Sequence, residues 1–285
     1  MTETFDADWL ALREPYDAAA RSEALAAAFI AALPDGPRLF DLGAGTGSMF
    51  RWLAPRIGGS QFWTLVDADR GLLVEAMNRI AEWAVDSGYE IDTSDPTSLI
   101  ILDFDDVWQV DAIRLDLAGE LADLPLEGAD GVVCSALLDI VSEAWLARLA
   151  GMLKVPFFAC LSVDGRDAWL PPTAGDIAIR TGFRRDQTRP KGFGHALGPH
   201  APPAFARCFA PRFRVLTAPS PWVIPTGDLT MLSGMIDSHA RVAALRMPAQ
   251  SSAIAAWERL RLRQMMRMRL SLRIGHTDLL ALPRR

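Results

Sequence analysis

A short apolar stretch that runs into three glycines at alternate positions constrains this chain more than any other feature. Residues 39–47 read Leu-Phe-Asp-Leu-Gly-Ala-Gly-Thr-Gly, so Asp41 stands two residues before Gly43, and Gly45 and Gly47 follow. A strand that turns sharply into a helix while its backbone lies against a ligand needs residues without a Cβ atom. The stretch therefore predicts the start of a nucleoside-binding βα unit.

The spacing of the glycines distinguishes a dinucleotide from other nucleoside-containing ligands. Dinucleotide-binding turns favour Gly-x-Gly-x-x-Gly, but here the third glycine comes one residue early and Ser48 occupies its place. An acid two residues before the first glycine suits a ligand with positive charge near the turn. The stretch from Phe40 to Gly47 resembles the first motif of the class I S-adenosylmethionine-dependent methyltransferases. The resemblance implies that Asp41 and the three glycines hold the methionine portion of S-adenosylmethionine.

Two further acids stand where that resemblance requires them. Residues 61–66 form an apolar stretch that predicts a buried strand and ends at Asp67, twenty residues after Gly47. The resemblance implies that Asp67, with the adjacent Ala68, binds the ribose, while Asp69 is a less favoured substitute with an alternative role as a helix N-cap. In the same way, Asp116 and Leu117 after a third predicted strand correspond to the adenine contact, with a turn or capping role as the alternative.

The pattern of strands and helices predicts an α/β fold: a doubly wound, Rossmann-like sheet of seven mostly parallel strands whose last strand is antiparallel. We expect a single methyltransferase domain over residues 1–285. Its predicted parts are an N-terminal helical cover (1–35), a cofactor-binding core (36–163), a substrate-specificity excursion (164–203), and the last strands (204–285) with a helical insertion at about 228–268.

Helical periodicity at residues 9–33 predicts one alanine-rich amphipathic helix before the first strand. In the family that the motif resembles, a leading helix often closes over the methionine end of the cofactor. Arg13, Tyr16 and Arg21 are therefore candidates to reach the carboxylate of the cofactor, and Arg13 is the one that we select. An ordinary ladder of ion pairs on a helix surface is the alternative.

The remaining strands are predicted at 98–104 and 110–115, which can form a hairpin, and at 129–138, 157–163, 213–224 and 270–282. Ligands bind at the carboxyl ends of the strands in such a sheet. Ser135, at the end of the fourth strand, is predicted to form the wall beside the sulfonium.

The candidates for a general base are Asp139, just after the fourth strand, and His195 and His200 in the excursion. Each has a plain structural alternative, because Asp139 can precede or cap a helix and the histidines can be polar loop residues. His239 and His276 are assigned structural roles. The acceptor is predicted to lie against the three candidate bases and three further residues: Trp169, Arg180 and Trp222.

Missing motifs narrow the reaction. Residues 134–137 read Cys-Ser-Ala-Leu, which is not the Asp/Asn-Pro-Pro-aromatic sequence of enzymes that methylate an exocyclic amino group of a base. No cluster of acids after the fourth strand indicates a metal site, so no metal is expected. The resemblance thus implies metal-independent methyl transfer to oxygen, nitrogen or carbon of a small-molecule acceptor.

Composition sets the remaining expectations. A net charge of −6 makes nucleic acid an unfavourable partner, although Arg259, Arg263 and Arg267 form a ridge at i,i+4 spacing. Three cysteines without paired spacing, an acidic N-terminus and the lack of a long apolar run predict a cytoplasmic protein without a membrane partner. A homodimer is possible.

Three alternatives stay open. The chain could bind S-adenosylmethionine or S-adenosylhomocysteine without catalysis, or it could be a nicotinamide-dependent oxidoreductase, which would also need the Asp67 carboxylate. The third is an RNA-directed methyltransferase that uses the arginine ridge.

Overall fold

The computed structural model describes residues 6–95, 98–119 and 121–284. The helices found there are α1 (Ala7–Ala20), α2 (Glu23–Ile30), α3 (Ser48–Ile57), α4 (Arg70–Asp86), α5 (Glu143–Met152), α6 (Asp176–Gln187), α7 (Ala201–Phe209), α8 (Leu229–Arg246) and α9 (Ser251–Met266). The strands are β1 (Arg38–Leu42), β2 (Gln61–Asp67), β3 (Glu90–Asp92), β4 (Ser98–Asp103), β5 (Asp106–Arg114), β6 (Gly131–Ser135), β7 (Phe157–Leu170), β8 (Phe213–Pro219), β9 (Trp222–Ile224) and β10 (Ser271–Pro283).

All the strands belong to one mixed sheet in the order β3-β4-β5-β2-β1-β6-β7-β10-β8, with β9 paired to β10. The five strands from β5 to β7 in this order are parallel, and β10 runs antiparallel to β7, β8 and β9. The predicted Rossmann-like sheet is thus confirmed. Its seven strands, from β5 to β8 in this order, are extended by the short strands β3, β4 and β9, and the predicted hairpin is β4–β5.

Helices cover both faces of the sheet because the strands of its centre are apolar on both sides. On one face, α2, α3 and α4 pack against buried residues such as Phe50, Trp63 and Trp108. On the other face, α5 and α7 pack around Trp145 and Phe205. A third core, which joins α1, α6, α8 and α9 to the ends of β7, β9 and β10, lies beyond the minimal sheet.

The N-terminal segment is two helices, so the prediction of one helix over residues 9–33 is wrong. The chain leaves the helical conformation at Arg21, and Ser22 caps α2 by accepting a hydrogen bond from the backbone N–H of Leu25. The break is long-range in origin, since the backbone N–H of Ser22 donates to the carboxylate of Asp278 on β10 at 2.7 Å. No periodicity within residues 9–33 contains that contact.

The segment from 164 to 203 is more regular than the predicted loop-like excursion. The fifth predicted strand, 157–163, continues to Leu170 because β10 pairs with it along its whole length, from Phe157 to Leu170. Helix α6 follows within the same segment. The sixth predicted strand is instead divided into β8 and β9 at Ser220 and Pro221, where proline has no N–H for a ladder hydrogen bond.

We expect Asp278→Ala to lower the free energy of unfolding by about 3 kcal/mol, because the backbone N–H groups of Ser22 and Leu161 both lose a buried acceptor. Chemical denaturation would measure the change. Asp237→Ala is the matched control, since Asp237 is exposed and its ion pair with Arg241 spans 3.8 Å; it should cost less than about 1 kcal/mol. Equal losses in the two variants would contradict the anchoring role of Asp278.

Candidate functional site at the carboxyl ends of the parallel strands

The turn between β1 and α3 has the backbone that its sequence predicts. Gly43, Gly45 and Gly47 have φ angles of 70°, 55° and 79°, in the left-handed region that favours glycine. A Cβ atom on Gly47 would lie 2.8 Å from Ile80 Cδ1, which is closer than side chains tolerate. Gly47 therefore supports the turn and the start of α3, while Gly43 and Gly45 face the cavity described below.

Asp67, the last residue of β2, fastens the glycine turn. Its Oδ2 accepts a hydrogen bond from the backbone N–H of Gly45 at 2.9 Å, and its Oδ1 accepts one from the N–H of Asp69 at 3.0 Å. Burial raises the pKa of Asp67 above its usual value, although the two backbone donors act in the opposite direction. Asp69 caps α4 by accepting from the N–H groups of Gly71 and Leu72, so its alternative role is the one present here.

Asp41 is a buried carboxylate that has no hydrogen-bond donor among the described residues. It is 1% exposed, it lies beside the glycine turn, and both of its oxygens lack a partner in the described parts of the chain. Burial raises its pKa to about 7, while the Arg21 guanidinium lowers it and the Asp67 carboxylate raises it further. A buried acid without a donor is costly, and a cationic group placed against it would offset that cost.

A cavity of about 520 Å³ opens at this edge of the sheet. Its volume is within the range of small-molecule and cofactor sites. Of the residues predicted to bind the cofactor, all but Gly47 line it: Arg13, Asp41, Gly43, Gly45, Asp67, Ala68, Asp116, Leu117 and Ser135. Five segments distant in sequence thus converge on one cavity.

Helix α1 forms one wall of the cavity through Leu10, Arg13 and Asp17. Arg13 Nε donates to Asp17 Oδ2 at 3.0 Å, and Trp222 Nε1 donates to Asp17 Oδ1 at 3.0 Å. Arg51 joins the helix to the glycine turn. The ion-pair ladder that was the alternative for this helix is thus represented by the Arg13–Asp17 pair, and both of its residues line the cavity.

Arg51 bridges α1 and the glycine turn. Its Nη2 donates to Glu14 on α1 at 2.6 Å, while its Nη1 donates to the carbonyl oxygen of Thr46 at 2.7 Å. The side chain is mostly buried, so these bonds are shielded from competing water. The wall and the turn are thereby held at a fixed separation.

The opposite end of the cavity lies between the ends of β2 and β5 and the segment after α6. Asp116 is exposed, and its Oδ1 accepts from the backbone N–H of Ala118 at 2.9 Å. The carbonyl oxygen of Leu117 accepts from Trp145 Nε1 at 2.6 Å, and the Phe193 ring packs edge-on against Trp145. The cavity lining therefore combines the apolar side chains of Leu117 and Phe193 with the exposed carboxylate of Asp116.

The structure does not bring the three candidate bases into the lining of this cavity. His195 and His200 are exposed. Asp139 is not part of the lining, and its carbonyl oxygen accepts from the backbone N–H of Gly198. The acceptor residues predicted beside them are also elsewhere: Trp169 and Trp222 are buried in the third core, and Arg180 donates to the carbonyl oxygen of Asp167. Their catalytic roles stay predictions that the geometry does not favour.

Several residues of the lining were not predicted from the sequence. Lys191 and Phe193 belong to the excursion but were not separated from its other polar and aromatic residues. Arg114 precedes Asp116 and donates to the carbonyl oxygen of Ala68, a contact between strands that a single sequence does not reveal. The other lining residues that were not selected are Leu10, Asp17, Ala44, Thr46, Ser48, Met49, Asp69, Arg70, Leu72, Ala136, Leu137 and Ile140.

Arg21 lies directly behind the cavity wall. The side chain is 3% exposed, and its Nη2 donates to Ser48 Oγ and to Ser135 Oγ, both at 3.1 Å. It does not line the cavity, but the two serines that it holds do. The candidate role of Arg21 in contacting a ligand carboxylate is thus replaced by contacts with the protein.

No group of three or more His, Cys, Asp or Glu side chains among the described residues is placed to hold a metal ion. None of the helices in this part of the chain is both long enough and apolar enough to cross a membrane. His239 and His276 are buried; burial lowers the pKa of His276 to about 3, with a further contribution from Arg13.

Comparisons with known proteins find likeness in structure alone. No protein-family model matches the chain, and no curated protein matches it in sequence. Among solved structures, an S-adenosylmethionine-dependent methyltransferase from Thiobacillus denitrificans in complex with S-adenosylhomocysteine is 17% identical, with a TM-score of 0.43 and full coverage of both chains. One from Geobacter sulfurreducens, also with S-adenosylhomocysteine, is 18% identical, with a TM-score of 0.42 and coverage of 92% of each chain.

A third similar structure is the geranyl diphosphate C-methyltransferase from Streptomyces coelicolor, at 12% identity and a TM-score of 0.42. The match covers 92% of this chain and 80% of the chain in that structure. Likeness at this level does not specify an activity. The function of this chain has to be argued from its own cavity.

We expect Gly47→Ala to lower the free energy of unfolding more than Gly58→Ala. Both glycines have positive φ angles, 79° and 64°, so each alanine pays about 1 kcal/mol for a left-handed backbone. Only the Cβ atom at position 47 would collide, because Gly58 has nothing within 4 Å. The difference, measured by urea denaturation, should be about 1–2 kcal/mol; equal losses would show that Ile80 simply moves aside.

Asp41→Asn should stabilise the ligand-free protein at neutral pH. The folded-state pKa of about 7 exceeds the ordinary value of 3.8, so between these values the folded state binds more protons than the unfolded state. The contribution of Asp41 to the stability of the wild type therefore falls as pH rises through this range. Relative to the wild type, the variant should gain nothing near pH 4 and on the order of 4 kcal/mol above pH 7.

Urea denaturation at a series of pH values would measure this difference. Asp35→Asn is the control, because Asp35 is exposed and its replacement should change the stability by no more than about 0.5 kcal/mol at any pH. A pH-independent difference between wild type and Asp41→Asn would contradict the buried, unpartnered state of Asp41.

Proposed function

We propose that this chain is an enzyme that transfers a methyl group from S-adenosylmethionine to a small-molecule acceptor. The observation that carries the proposal is Asp41: a buried carboxylate without a donor, at the end of β1, on the wall of a cavity bordered by left-handed glycines. An ammonium or sulfonium group satisfies such a carboxylate, and an S-adenosylmethionine molecule carries both.

The cavity also offers what the adenosine part of this cofactor needs. Asp67 lines the cavity at the end of β2, and a carboxylate there can accept hydrogen bonds from ribose hydroxyls in addition to those of the loop. Asp116 stands at the rim beside the apolar surface of Leu117 and Phe193, which suits a flat base with an amino group. Asp41, Asp67 and Asp116 thus offer one carboxylate each to the amino-acid portion, the ribose and the base of the cofactor.

When bound, S-adenosylmethionine would supply an activated methyl group, because the sulfonium is a good leaving group. The chain then has to position the acceptor in line and keep water out. Leu10, Leu137 and Ile140 provide apolar surface for this purpose. The hydrogen bonds that α1 accepts from Arg51 and Trp222 hold the wall in place. Ala136, with a φ angle of 54°, directs the chain after β6 across the cavity.

The acceptor is proposed to enter between α1 and the segment after β6, where Ser135 lies on the wall. A methyl transfer to oxygen, nitrogen or carbon without a metal ion is consistent with the groups present. Where the nucleophile carries a proton, Asp17 is better placed than His195, His200 or Asp139 to accept it, because Asp17 lines the cavity and they do not. Its ion pair with Arg13 would then have to open.

Calorimetric titration with S-adenosylmethionine, S-adenosylhomocysteine and NAD tests the cofactor. We expect the first two to bind and NAD not to bind. Asp67→Asn should weaken both by about 10- to 100-fold, since hydrogen bonds to a charged group are lost. Asp69→Asn is the matched control: it lines the same cavity and retains a side chain suited to capping α4, so affinity should change less than about threefold.

Binding of the amino-acid portion and of the adenosine portion can be tested separately with 5′-methylthioadenosine, which lacks the amino-acid portion. Asp41→Asn should weaken S-adenosylmethionine and S-adenosylhomocysteine at least about tenfold and leave 5′-methylthioadenosine within about threefold. Binding of NAD alone would refute the proposal and favour the oxidoreductase alternative. Binding of the cofactor without methyl transfer to any acceptor in a broad screen would favour a non-catalytic binding module.

A further inference from the structure

Two segments that are distant in the sequence each carry charge of a single sign. Residues 80–113 contain nine acidic residues and no lysine or arginine, whereas residues 259–273 contain six arginines and no acidic residue. The first segment forms the end of α4, the strands β3 and β4 and most of β5, at one edge of the sheet. The second forms the second half of α9 and the start of β10, near the other edge.

An aromatic side chain stands in the middle of the acidic segment. Phe104, at the tip of the β4–β5 hairpin, is fully exposed and has a φ angle of 54°. Asp103 and Asp106 face each other across the hairpin, and Asp105 is exposed beside the ring. A large aromatic group held in water by a tight turn contributes nothing to the core, but aromatic groups are enriched where proteins bind one another.

The basic segment forms an exposed surface of arginine and methionine side chains, which complements the acidic and aromatic hairpin. Ile254, Trp257, Arg261 and Met265 form the buried side of α9, so Arg259, Arg263 and Met266 lie on its outer side. Arg267 and Met268 continue that surface after the helix ends, and both methionines are more than half exposed. Among the described residues, no carboxylate forms an ion pair with the outward arginines, which are Arg259, Arg263, Arg267, Arg269 and Arg273.

We propose that the acidic hairpin tip, residues 103–106, docks on the arginine–methionine surface of α9, residues 259–269, of a second copy of this chain. The two surfaces belong to opposite parts of the sheet, so they cannot meet within one molecule. Phe104 would lie against the flexible side chains of Met266 and Met268, and the aspartates would face the guanidinium groups. This inference does not depend on the proposed reaction, since neither surface lines the cavity.

Complementary charge makes a copy of this chain a better occupant than a nucleic acid or a lipid surface. A nucleic acid would explain the arginines but not the exposed Phe104 within a cluster of acids. A two-fold arrangement would use both complementary contacts in each pair, and each would bring opposite charges together. Such contacts are steered by charge and weaken as salt rises.

Sedimentation velocity of the full chain tests the proposal at about 0.05 M and about 0.5 M salt, between which the Debye length falls from roughly 14 to roughly 4 Å. We expect self-association at low salt, weakened at least tenfold at high salt. Asp105→Arg and Arg263→Glu should each weaken it at least tenfold at low salt. In a chain that carries both substitutions, self-association should return toward the wild-type level, because the charges are exchanged.

Phe104→Ser should weaken self-association without changing its salt dependence. The controls are Met152→Ser and Arg241→Glu, which alter an exposed methionine and an exposed arginine outside both surfaces and should have no effect. Thermal unfolding checks that every variant is folded. A wild type that stays monomeric at about 100 µM in low salt, or self-association indifferent to both charge reversals, would overturn the proposal.

A nucleic acid is the competing occupant of the arginine surface. Binding of a fluorescent single-stranded RNA, measured by anisotropy, would be lost in Arg263→Glu and unchanged in Phe104→Ser if the surface served nucleic acid. That result, together with a monomeric wild type, would replace the proposed contact between copies.

Discussion

The buried guanidinium of Arg21 connects the parts of the molecule that form the site. It lies where the N-terminal segment breaks between α1 and α2, donates to Ser48 at the start of α3 and to Ser135 at the end of β6, and stacks over the Trp52 ring. Taking a full positive charge out of water is costly unless opposite charges and acceptors surround it. Asp41 and Asp278 are the acids beside it: burial raises the pKa of both carboxyls above the usual range, and the Arg21 charge partly offsets that rise.

This arrangement explains the different states of the buried acids. Asp278 accepts two backbone N–H groups and serves the fold, since it joins β10 to β7 and to the start of α2. Asp67 accepts two others and shapes the glycine turn. Asp41 lines the cavity, as Asp67 does, but no hydrogen bond from the described residues reaches either of its oxygens. Asp41 thus lowers the stability of the ligand-free protein, which is typical of a residue that serves to bind a ligand.

The accuracy of the sequence-based predictions follows the range of the interactions involved. The glycine turn, the strand ends at Asp67 and Asp116 and the parallel centre of the sheet were predictable, because turn stereochemistry and apolar runs are local signals. The break at Arg21 and the extension of β7 to Leu170 were not, because both depend on β10, more than a hundred residues away from β7 and more than two hundred from α1, which no local pattern contains. The division of β8 from β9 does have a local signal, Pro221, which the predicted strand 213–224 did not take into account.

The sequence by itself determined which residues could meet a charged, nucleoside-like ligand: the acid before the glycines and the acids that close two strands. Only the tertiary structure decided which side chains share the cavity. It brought Asp17 and Phe193 into the wall and left His195 and His200 exposed to solvent. The physical reason is that strand ends are aligned by a regular sheet, whereas the positions of α1 and of the segment after α6 depend on packing against the third core.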